Sequence, residues 1–230
     1  LPAGPMELAG GARKSLRKAV GRVARHGYEA ELVAAGDLDG ATLRRLVEVS
    51  QRWRRGAAER GFSMAHDAVA DELLPDALVV VARDAGGVPR AFLHFMPVYG
   101  RPVVSLSFMR RDPDTPNGLV EFLVVRGAEL LAERGIEEFS LNFAAFGRWL
   151  RAPSNPLEHV LGRLACAGDR FFQIERLHRF NAKFGPRWQP RHLVFDSAAA
   201  LPRIALAALW VEGQLPRPAL RPRRALPAAR

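Results

Sequence analysis

The segment that most constrains the fold of this chain runs from Val103 to Phe122, where a strand pattern, a polar turn and a helix pattern follow in direct succession. Val103 to Met109 is largely apolar, and the next residues bring a cluster of charges, two prolines and the pair Asn117-Gly118. Polar groups at the end of a strand beside a helix N-terminus often form sites for anionic or carbonyl-bearing ligands. Because strand-to-helix loops are common in α/β domains, spacing alone favours an ordinary connection over such a site.

A length of 230 residues fits one large domain or two small ones, and a hydrophobic content of 48% is enough for a core. The longest apolar runs, such as 204–211, are too short to span a bilayer. With no signal peptide and no initial Met, the sequence is expected to be a soluble piece of something longer. The single cysteine, Cys166, excludes an internal disulfide framework and a cysteine-rich metal site, and it fits a reducing compartment.

The formal net charge of +10 predicts attraction to nucleic acid or to an anionic membrane surface. Segment 12–26 contains no acidic residue, and its apolar residues repeat at helical spacing. It therefore predicts an amphipathic basic helix, whose cationic face either contacts a nucleic-acid phosphate backbone or lipid headgroups or is simply solvated. The phosphate-contact candidates there are Arg13, Lys14, Arg17 and Lys18. The tail 216–230 has five arginines, four prolines and no acid, so it is expected to be disordered.

Hydrophobic periodicity and turn residues predict the order of the elements. Helices are expected over 12–26, 41–60, 116–134, 156–169, 171–183 and 202–212. Strands are expected over 28–33, 77–83, 88–98, 103–109, 137–142 and 191–195. A meander of three strands followed by a strand-helix-strand unit predicts an α/β fold with a mixed, mainly antiparallel sheet flanked by helices. This order is similar to the acyltransferase (GNAT) fold, and it suggests a basic linking helix over 1–27, an acyltransferase-like domain over 28–215 and the tail.

The polar turn does not suit coenzyme A. Acetyl-CoA-dependent members of the GNAT superfamily cradle the pyrophosphate with a glycine-rich loop at the start of the long helix. Here the corresponding segment 111–118 has one glycine and two carboxylates, which would repel a pyrophosphate. The chain also lacks a nucleophile elbow, a Walker loop and a zinc-binding His-Glu-x-x-His pattern. The acyl donor is therefore expected not to be CoA.

Five motifs in unbroken order carry a more specific resemblance. They are 60–64 (Arg-Gly-Phe-Ser-Met), Met109-Arg110 with 113–118 and Glu121, 140–144 (Ser-Leu-Asn-Phe-Ala), 175–184, and 188–191 (Trp-x-Pro-Arg). Together they resemble the C-terminal catalytic domain of the phosphatidylglycerol lysyltransferases, the multiple peptide resistance factor family. The resemblance covers about residues 12 to 213.

The resemblance implies an aminoacyltransferase that moves an aminoacyl group from aminoacyl-tRNA to a hydroxyl of phosphatidylglycerol, a modification linked to cationic peptide resistance. It implies no cofactor, no metal and no covalent intermediate. It also implies work at the cytoplasmic face of the bacterial cell membrane, beside a preceding acyltransferase-like fold and a membrane domain that this sequence does not contain. Two alternatives remain: tRNA-dependent aminoacylation of a soluble small molecule, and a domain that binds tRNA or anionic membrane without turnover.

The same resemblance assigns roles to individual residues. The catalytic candidates are Arg110, Asp114, Asn117 and Glu121, which would hold the carbonyl or an anionic group, bind the α-ammonium group and handle the proton. The substrate-binding candidates are Ser107, Asn142, Arg176, Arg179, Lys183 and Arg191. Typical lysyltransferases have an Asp three residues before the motif arginine, where this chain has Ser107. A lost carboxylate in a pocket for a cationic amino acid leads us to expect a donor other than lysine.

Overall fold

A five-stranded sheet forms the centre of the molecule. The computed structural model describes residues 1–55, 75–142, 169–190, 192 and 194–211. The strands are β1 Glu29–Ala34, β2 Leu78–Arg83, β3 Pro89–Val98, β4 Val103–Arg111 and β5 Glu138–Ser140. Their order in the sheet is sequential, with antiparallel pairs from β1 to β4 and a parallel pair between β4 and β5. The predicted α/β class with a mixed, mainly antiparallel sheet is confirmed.

Helices cover both faces of this sheet. The described helices are α1 Lys14–Arg25, α2 Gly40–Arg54, α3 Leu119–Glu133, α4 Asp169–Ala182 and α5 Leu201–Val211, of which α1 and α3 pack on one face of the sheet and α2 packs on the other. Leu16 of α1 and Leu123 of α3 belong to one buried cluster with Val80 of β2, whereas Leu46 of α2 belongs to a second cluster with Val81. Because β2 is buried on both faces, its sequence is continuously apolar instead of alternating. Within the described ranges, no helix combines the length and the hydropathy needed to cross a bilayer.

A bulge in β4 decides which way the end of that strand faces. His94 of β3 pairs with Phe108 and Phe95 pairs with Leu106, so Ser107 is an extra residue in β4. Leu106 packs in the cluster under α1 and α3, whereas Phe108 packs in the cluster under α2. Without the bulge, these two residues would lie on the same face because side chains alternate along a strand. The bulge therefore turns Phe108, and Arg110 two residues later, towards α2.

Several predicted boundaries are corrected. Strand β4 continues to Arg111, two residues further than expected, because Arg110 and Arg111 still pair with β3. Helix α3 begins at Leu119 and not at 116, since Gly118 takes a φ of 100° that helical residues do not adopt. Helix α2 ends at Arg54, because Arg55 is left-handed with a φ of 50°. The strand β5 spans Glu138–Ser140 only, and Pro2 forms a bridge to Glu138 that the sequence did not suggest.

The strand expected over 191–195 is wrong for the residues that can be judged. Positions 192, 194 and 195 have no strand conformation, and Val194 is 90% exposed, so an apolar run there does not indicate burial. Helix α5 follows at Leu201. The predictions for most of 156–169, for Cys166 and for the tail 216–230 fall outside the described residues. The motifs at 60–64 and 143–144 also lie outside them.

Candidate functional site

Arg110 is held between aromatic rings at the end of β4. Its guanidinium carbon lies 4.1 Å from the ring centroid of Trp53, in the last turn of α2, and 5.3 Å from that of Phe108. One of its terminal nitrogens donates a hydrogen bond to the Met109 carbonyl over 3.3 Å. Cation–π contacts of this kind contribute about 0.5–2 kcal/mol each. They restrict the guanidinium to one region at the point where the strand leaves the sheet.

Asp112, two residues further along, is the most deeply buried charge near the site. Its side chain is 0% exposed, and Oδ2 accepts hydrogen bonds from Arg45 at 2.9 Å and from Arg52 at 2.7 Å. Arg90 approaches the same oxygen at 3.5 Å. Arg90 also donates through Nε to Asp84, and this hydrogen bond lowers the pKa of the Asp84 carboxyl and raises that of the guanidinium. The carboxylate of Asp112 is thus fully engaged in holding α2 against the strand ends.

Asp114 lies at the surface beside the same helix. Its side chain is 76% exposed, and Oδ2 accepts a hydrogen bond from Arg52 over 2.5 Å. Arg52 therefore bridges the buried Asp112 and the exposed Asp114. Because Trp53, which contacts Arg110, is the next residue of α2, Arg110 and Asp114 both contact the last turn of that helix.

Asn117 and Glu121 have their contacts with other helices. The Asn117 carbonyl accepts a hydrogen bond from Arg22 of α1 over 3.5 Å. The side chain of Glu121 is only 16% exposed and forms a 2.7 Å ion pair with Lys183, just after α4. The Lys183 carbonyl in turn accepts a hydrogen bond from Arg13 over 2.9 Å. One catalytic candidate and one substrate-binding candidate thus form a pair, on the side of the sheet where α1 and α3 pack.

Ser107 and Asn142 lie near the point where β4 and β5 separate. The last paired residues of these parallel strands are Ser105 and Ser140, and each candidate is two positions further along its chain. Ser107 is 8% exposed in the bulge, while Asn142 has a φ of 67° and donates its backbone N–H to the Ser140 hydroxyl over 3.0 Å. The carboxyl ends of parallel strands are a common position for ligands in α/β sheets.

The remaining substrate-binding candidates lie on or after α4. Arg176 and Arg179 are exposed on that helix, and Lys183 follows it. Arg191 lies outside the described residues. In the described part of the chain, no group of three or more His, Cys, Asp or Glu side chains is arranged to hold a metal ion.

Some cations at the basic helix α1 donate hydrogen bonds to main-chain carbonyls, and for others no such hydrogen bond is described. Arg13 donates to the Lys183 carbonyl, and Arg17 donates to the Leu8 carbonyl over 2.5 Å, so both fix the main chain. Lys14 and Lys18 are exposed, and their contact with phosphates stays a prediction. A concave surface lies along α1 towards the end of the helix, and it encloses a volume of about 500 Å³. Its lining residues are Arg17, Lys18, Gly21, Arg22 and Arg25.

Arg22 and Arg25 belong to the acid-free segment whose cationic face was predicted, although neither was among the four individual contact candidates. Their spacing from Lys18, four and seven residues, places the three on one helix face. Sequence reasoning did miss Trp53 and the arginines of α2 as residues of the site. For these the only signal was the seven-residue separation of Arg45 and Arg52, which puts both on one side of that helix.

Comparisons with known proteins agree with this architecture. The family model described as "Phosphatidylglycerol lysyltransferase, C-terminal" matches residues 2–195. The chain is 37% identical over 220 residues to the lysylphosphatidylglycerol biosynthesis bifunctional protein LysX of Gordonia bronchialis, and covers 19% of that relative. It is 34% identical over 212 residues to the protein of the same name from Mycobacterium ulcerans, again covering 19% of it. In both alignments at least 90% of this chain takes part.

Two solved structures share the fold. The structure of L-PGS from Bacillus licheniformis superimposes with a TM-score of 0.70 at 22% identity, over 90% of this chain and 62% of that one. The C-terminal domain (DUF2156) of a candidate lysylphosphatidylglycerol synthetase from Agrobacterium fabrum gives 0.70 at 29% identity, over 91% and 63%. The chain thus spans less than two thirds of each solved relative and about a fifth of each curated one. Because the family model matches most of its length, the chain belongs to the phosphatidylglycerol lysyltransferase C-terminal family.

Proposed function

We propose that this chain is an aminoacyltransferase domain that moves an aminoacyl group from aminoacyl-tRNA to a hydroxyl of phosphatidylglycerol. Family membership supports the reaction class. The observation that carries the proposal is Arg110, a cation held by aromatic rings at the end of β4. The turn that follows it has two carboxylates where a CoA-binding loop would need glycines.

The chemistry requires little beyond position and charge. An aminoacyl ester is already activated, so the acceptor hydroxyl attacks the ester carbonyl and forms a tetrahedral oxyanion. Collapse of this species breaks the bond to the ribose oxygen of tRNA, which takes up the proton that the acceptor loses. Arg110 is the group that we assign to the carbonyl oxygen as its negative charge develops.

Two carboxylates are candidates for the donor's ammonium group and for the proton. Asp114 is exposed and adjoins the same turn of α2 as Arg110, which favours it for one of these tasks. Glu121 already pairs with Lys183. The structure therefore supports Asp114 more strongly than Glu121 as a group that meets the substrate beside Arg110. Asn117 remains a candidate donor of a hydrogen bond through its side chain.

Ser107 is the residue that we expect to influence the choice of amino acid. It occupies the bulge three residues before Arg110 and is nearly buried. A hydroxyl there cannot neutralise a cationic side chain as a carboxylate would. The names of the relatives point to lysine, whereas this substitution predicts a different donor. A lysine-specific signal in a panel of donors would refute that expectation.

The partners follow from the substrates. We assign the exposed cations of α1 to phosphates of tRNA or of the anionic lipid, together with Arg176 and Arg179. The reaction would take place at the cytoplasmic face of the membrane, where tRNA and lipid meet. A preceding acyltransferase-like fold and a membrane domain are the expected neighbours in a longer protein.

The test is a transfer assay with radiolabelled aminoacyl-tRNAs and phosphatidylglycerol vesicles, followed by lipid extraction. Label from one tRNA should enter the lipid, and Arg110→Lys should reduce the rate by about 100-fold, as expected when an oxyanion donor is lost. The matched control is Arg126→Lys on α3, where the arginine is 46% exposed and pairs with Glu129. Label that enters only soluble amines or hydroxyl compounds would support the soluble-acceptor alternative. Binding of tRNA without any transfer would contradict the proposed activity.

A further inference from the structure

We propose that Trp53 is a positioning residue, which holds the guanidinium of Arg110 in the orientation needed for acyl transfer. This inference rests on the proposed function, because the catalytic role of Arg110 is part of it. None of the sequence motifs includes Trp53, which stands in the last turn of α2, far from β4 along the chain.

The contact itself is specific. The guanidinium carbon of Arg110 lies 4.1 Å from the centre of the Trp53 ring, well within the range of a cation–π interaction. Phe108 offers a second ring at 5.3 Å, and His94 stacks on Phe108 with ring centroids 4.7 Å apart. Three rings and one cation thus form a continuous stack that begins in β3 and ends at Trp53.

The exposure of Trp53 indicates that packing alone does not explain it. Its side chain is 45% exposed, although a tryptophan that serves only the core is usually mostly buried. A large aromatic surface left partly in water at the end of a helix is available to a substrate on its other side. The guanidinium of Arg110 therefore contacts one ring that is nearly buried, Phe108, and one that is partly exposed, Trp53.

The preceding residue fixes the position of Trp53. Arg52 donates to Asp112 over 2.7 Å and to Asp114 over 2.5 Å. Neighbouring residues of one helical turn therefore contact three alternate positions of the chain after the bulge: Arg110, Asp112 and Asp114. Because Asp112 is fully buried and also binds Arg45, the backbone of this turn is anchored, and the indole ring is placed over Arg110 by that anchor.

The consequence is preorganisation. An arginine side chain has many rotamers, and a charge stabilises an oxyanion best when it needs no reorientation during the reaction. Removal of the ring would leave the charge of Arg110 but would take away the nearer of the two aromatic faces that orient it. We therefore expect kcat to fall about tenfold in Trp53→Leu while KM for the donor changes less than twofold. Trp53→Phe, which retains a smaller aromatic face, should fall between wild type and Trp53→Leu.

A matched control exists in the same chain. Trp210 in α5 is also 45% exposed, so Trp210→Leu removes an equally exposed indole elsewhere. The double variant Trp53→Leu with Arg110→Lys should be no slower than Arg110→Lys alone, because the ring acts only through the guanidinium. If Trp53→Leu slows the Arg110→Lys enzyme by the same factor as it slows wild type, the inference is overturned.

A second measurement does not depend on activity. In the 230-residue protein labelled with 15N-arginine, the Nε–H resonance of Arg110, identified by its loss in Arg110→Lys, should be displaced by the ring current of Trp53. In Trp53→Leu it should return towards the ordinary arginine position, and in Trp210→Leu it should stay displaced. An unchanged resonance in Trp53→Leu would overturn the inference. A wild-type protein with this displaced resonance but no transfer activity would count against the proposed function alone.

Discussion

Asp112 has an environment that is unusual for a carboxylate close to a candidate site. It is completely buried, and the arginines that contact it keep 21% to 44% of their side chains exposed. The cations thus retain part of their hydration while they satisfy the buried anion, which makes the arrangement less costly than burial of both partners. Through these arginines, Asp112 connects α2 and β3 to the end of β4. We therefore expect Asp112 to act by fixing the geometry around Arg110.

We predict that Asp112→Asn lowers the free energy of unfolding by about 3 kcal/mol, near the lower end of the range for a broken buried ion pair, because the arginines can return to water. Urea denaturation followed by circular dichroism measures this. Asp114→Asn is the matched control, since Asp114 shares the partner Arg52 but is 76% exposed. That variant should lose less than about 1 kcal/mol. Equal losses in the two variants would contradict a structural role specific to Asp112.

Individual site residues could be selected from the sequence only where they stand in a motif. Arg110 and Asp114 were selected because they stand in a motif that resembles the family, at the end of an apolar strand and in the turn that follows it. Trp53, Arg45 and Arg52 could not be selected in that way, because they meet the strand end only through folding and have no local pattern. Whether Asn117 and Glu121 meet the same substrate as Arg110 remains a prediction.

At the scale of elements, the contact between α1 and α3 depends on Gly118. This residue precedes α3 with a φ of 100°, and a Cβ atom on it would lie 2.7 Å from the Cβ of Ala19 in α1. The absence of a side chain therefore lets the basic helix cross the start of α3, where Asn117 and Glu121 also stand. A change here would separate α1 from the face of the sheet that carries these candidates.

We predict that Gly118→Ala lowers the free energy of unfolding by about 3 kcal/mol, of which about 1–2 comes from the left-handed backbone and the rest from the forced separation of two helices. Gly87→Ala is the control, because Gly87 in the hairpin turn also has a positive φ, of 77°, but a Cβ atom added there would have no neighbour within 4 Å. It should lose only about 1–2 kcal/mol. Thermal or urea unfolding compares them, and equal losses would exclude a steric contribution at Gly118.

The elements themselves were largely predictable because periodicity and turn residues are local signals. The meander β2–β3–β4, the basic helix and the long helix all follow patterns that a few neighbouring residues define. The bulge at Ser107 was not predictable, since it is a matter of register between β3 and β4. This one extra residue determines that Arg110 faces α2, an orientation that no local pattern in the sequence indicates.

At the scale of the whole molecule, the cations that make up the excess positive charge have different functions. Some cations serve the fold: Arg45, Arg52 and Arg90 around Asp112, and Arg13 and Arg17 on main-chain carbonyls. Arg17 also lines the exposed concave surface of α1, together with Lys18, Arg22 and Arg25. A polyanion such as tRNA would feel the net charge of +10 at a distance but would exchange counterions only where phosphates touch the protein. These two contributions can be separated by the dependence of affinity on salt.

We predict that Lys18→Ala combined with Arg25→Ala weakens tRNA binding and reduces the slope of log Kd against log[salt] by about 2, because each lost phosphate contact removes about one released counterion. The control is Arg101→Ala combined with Arg134→Ala, which removes the same charge from exposed positions elsewhere. Fluorescence titrations with labelled tRNA between about 50 and 200 mM salt give both slopes. The control should keep the wild-type slope because counterion release depends on contact, whereas a general attraction to the basic protein would reduce both slopes alike.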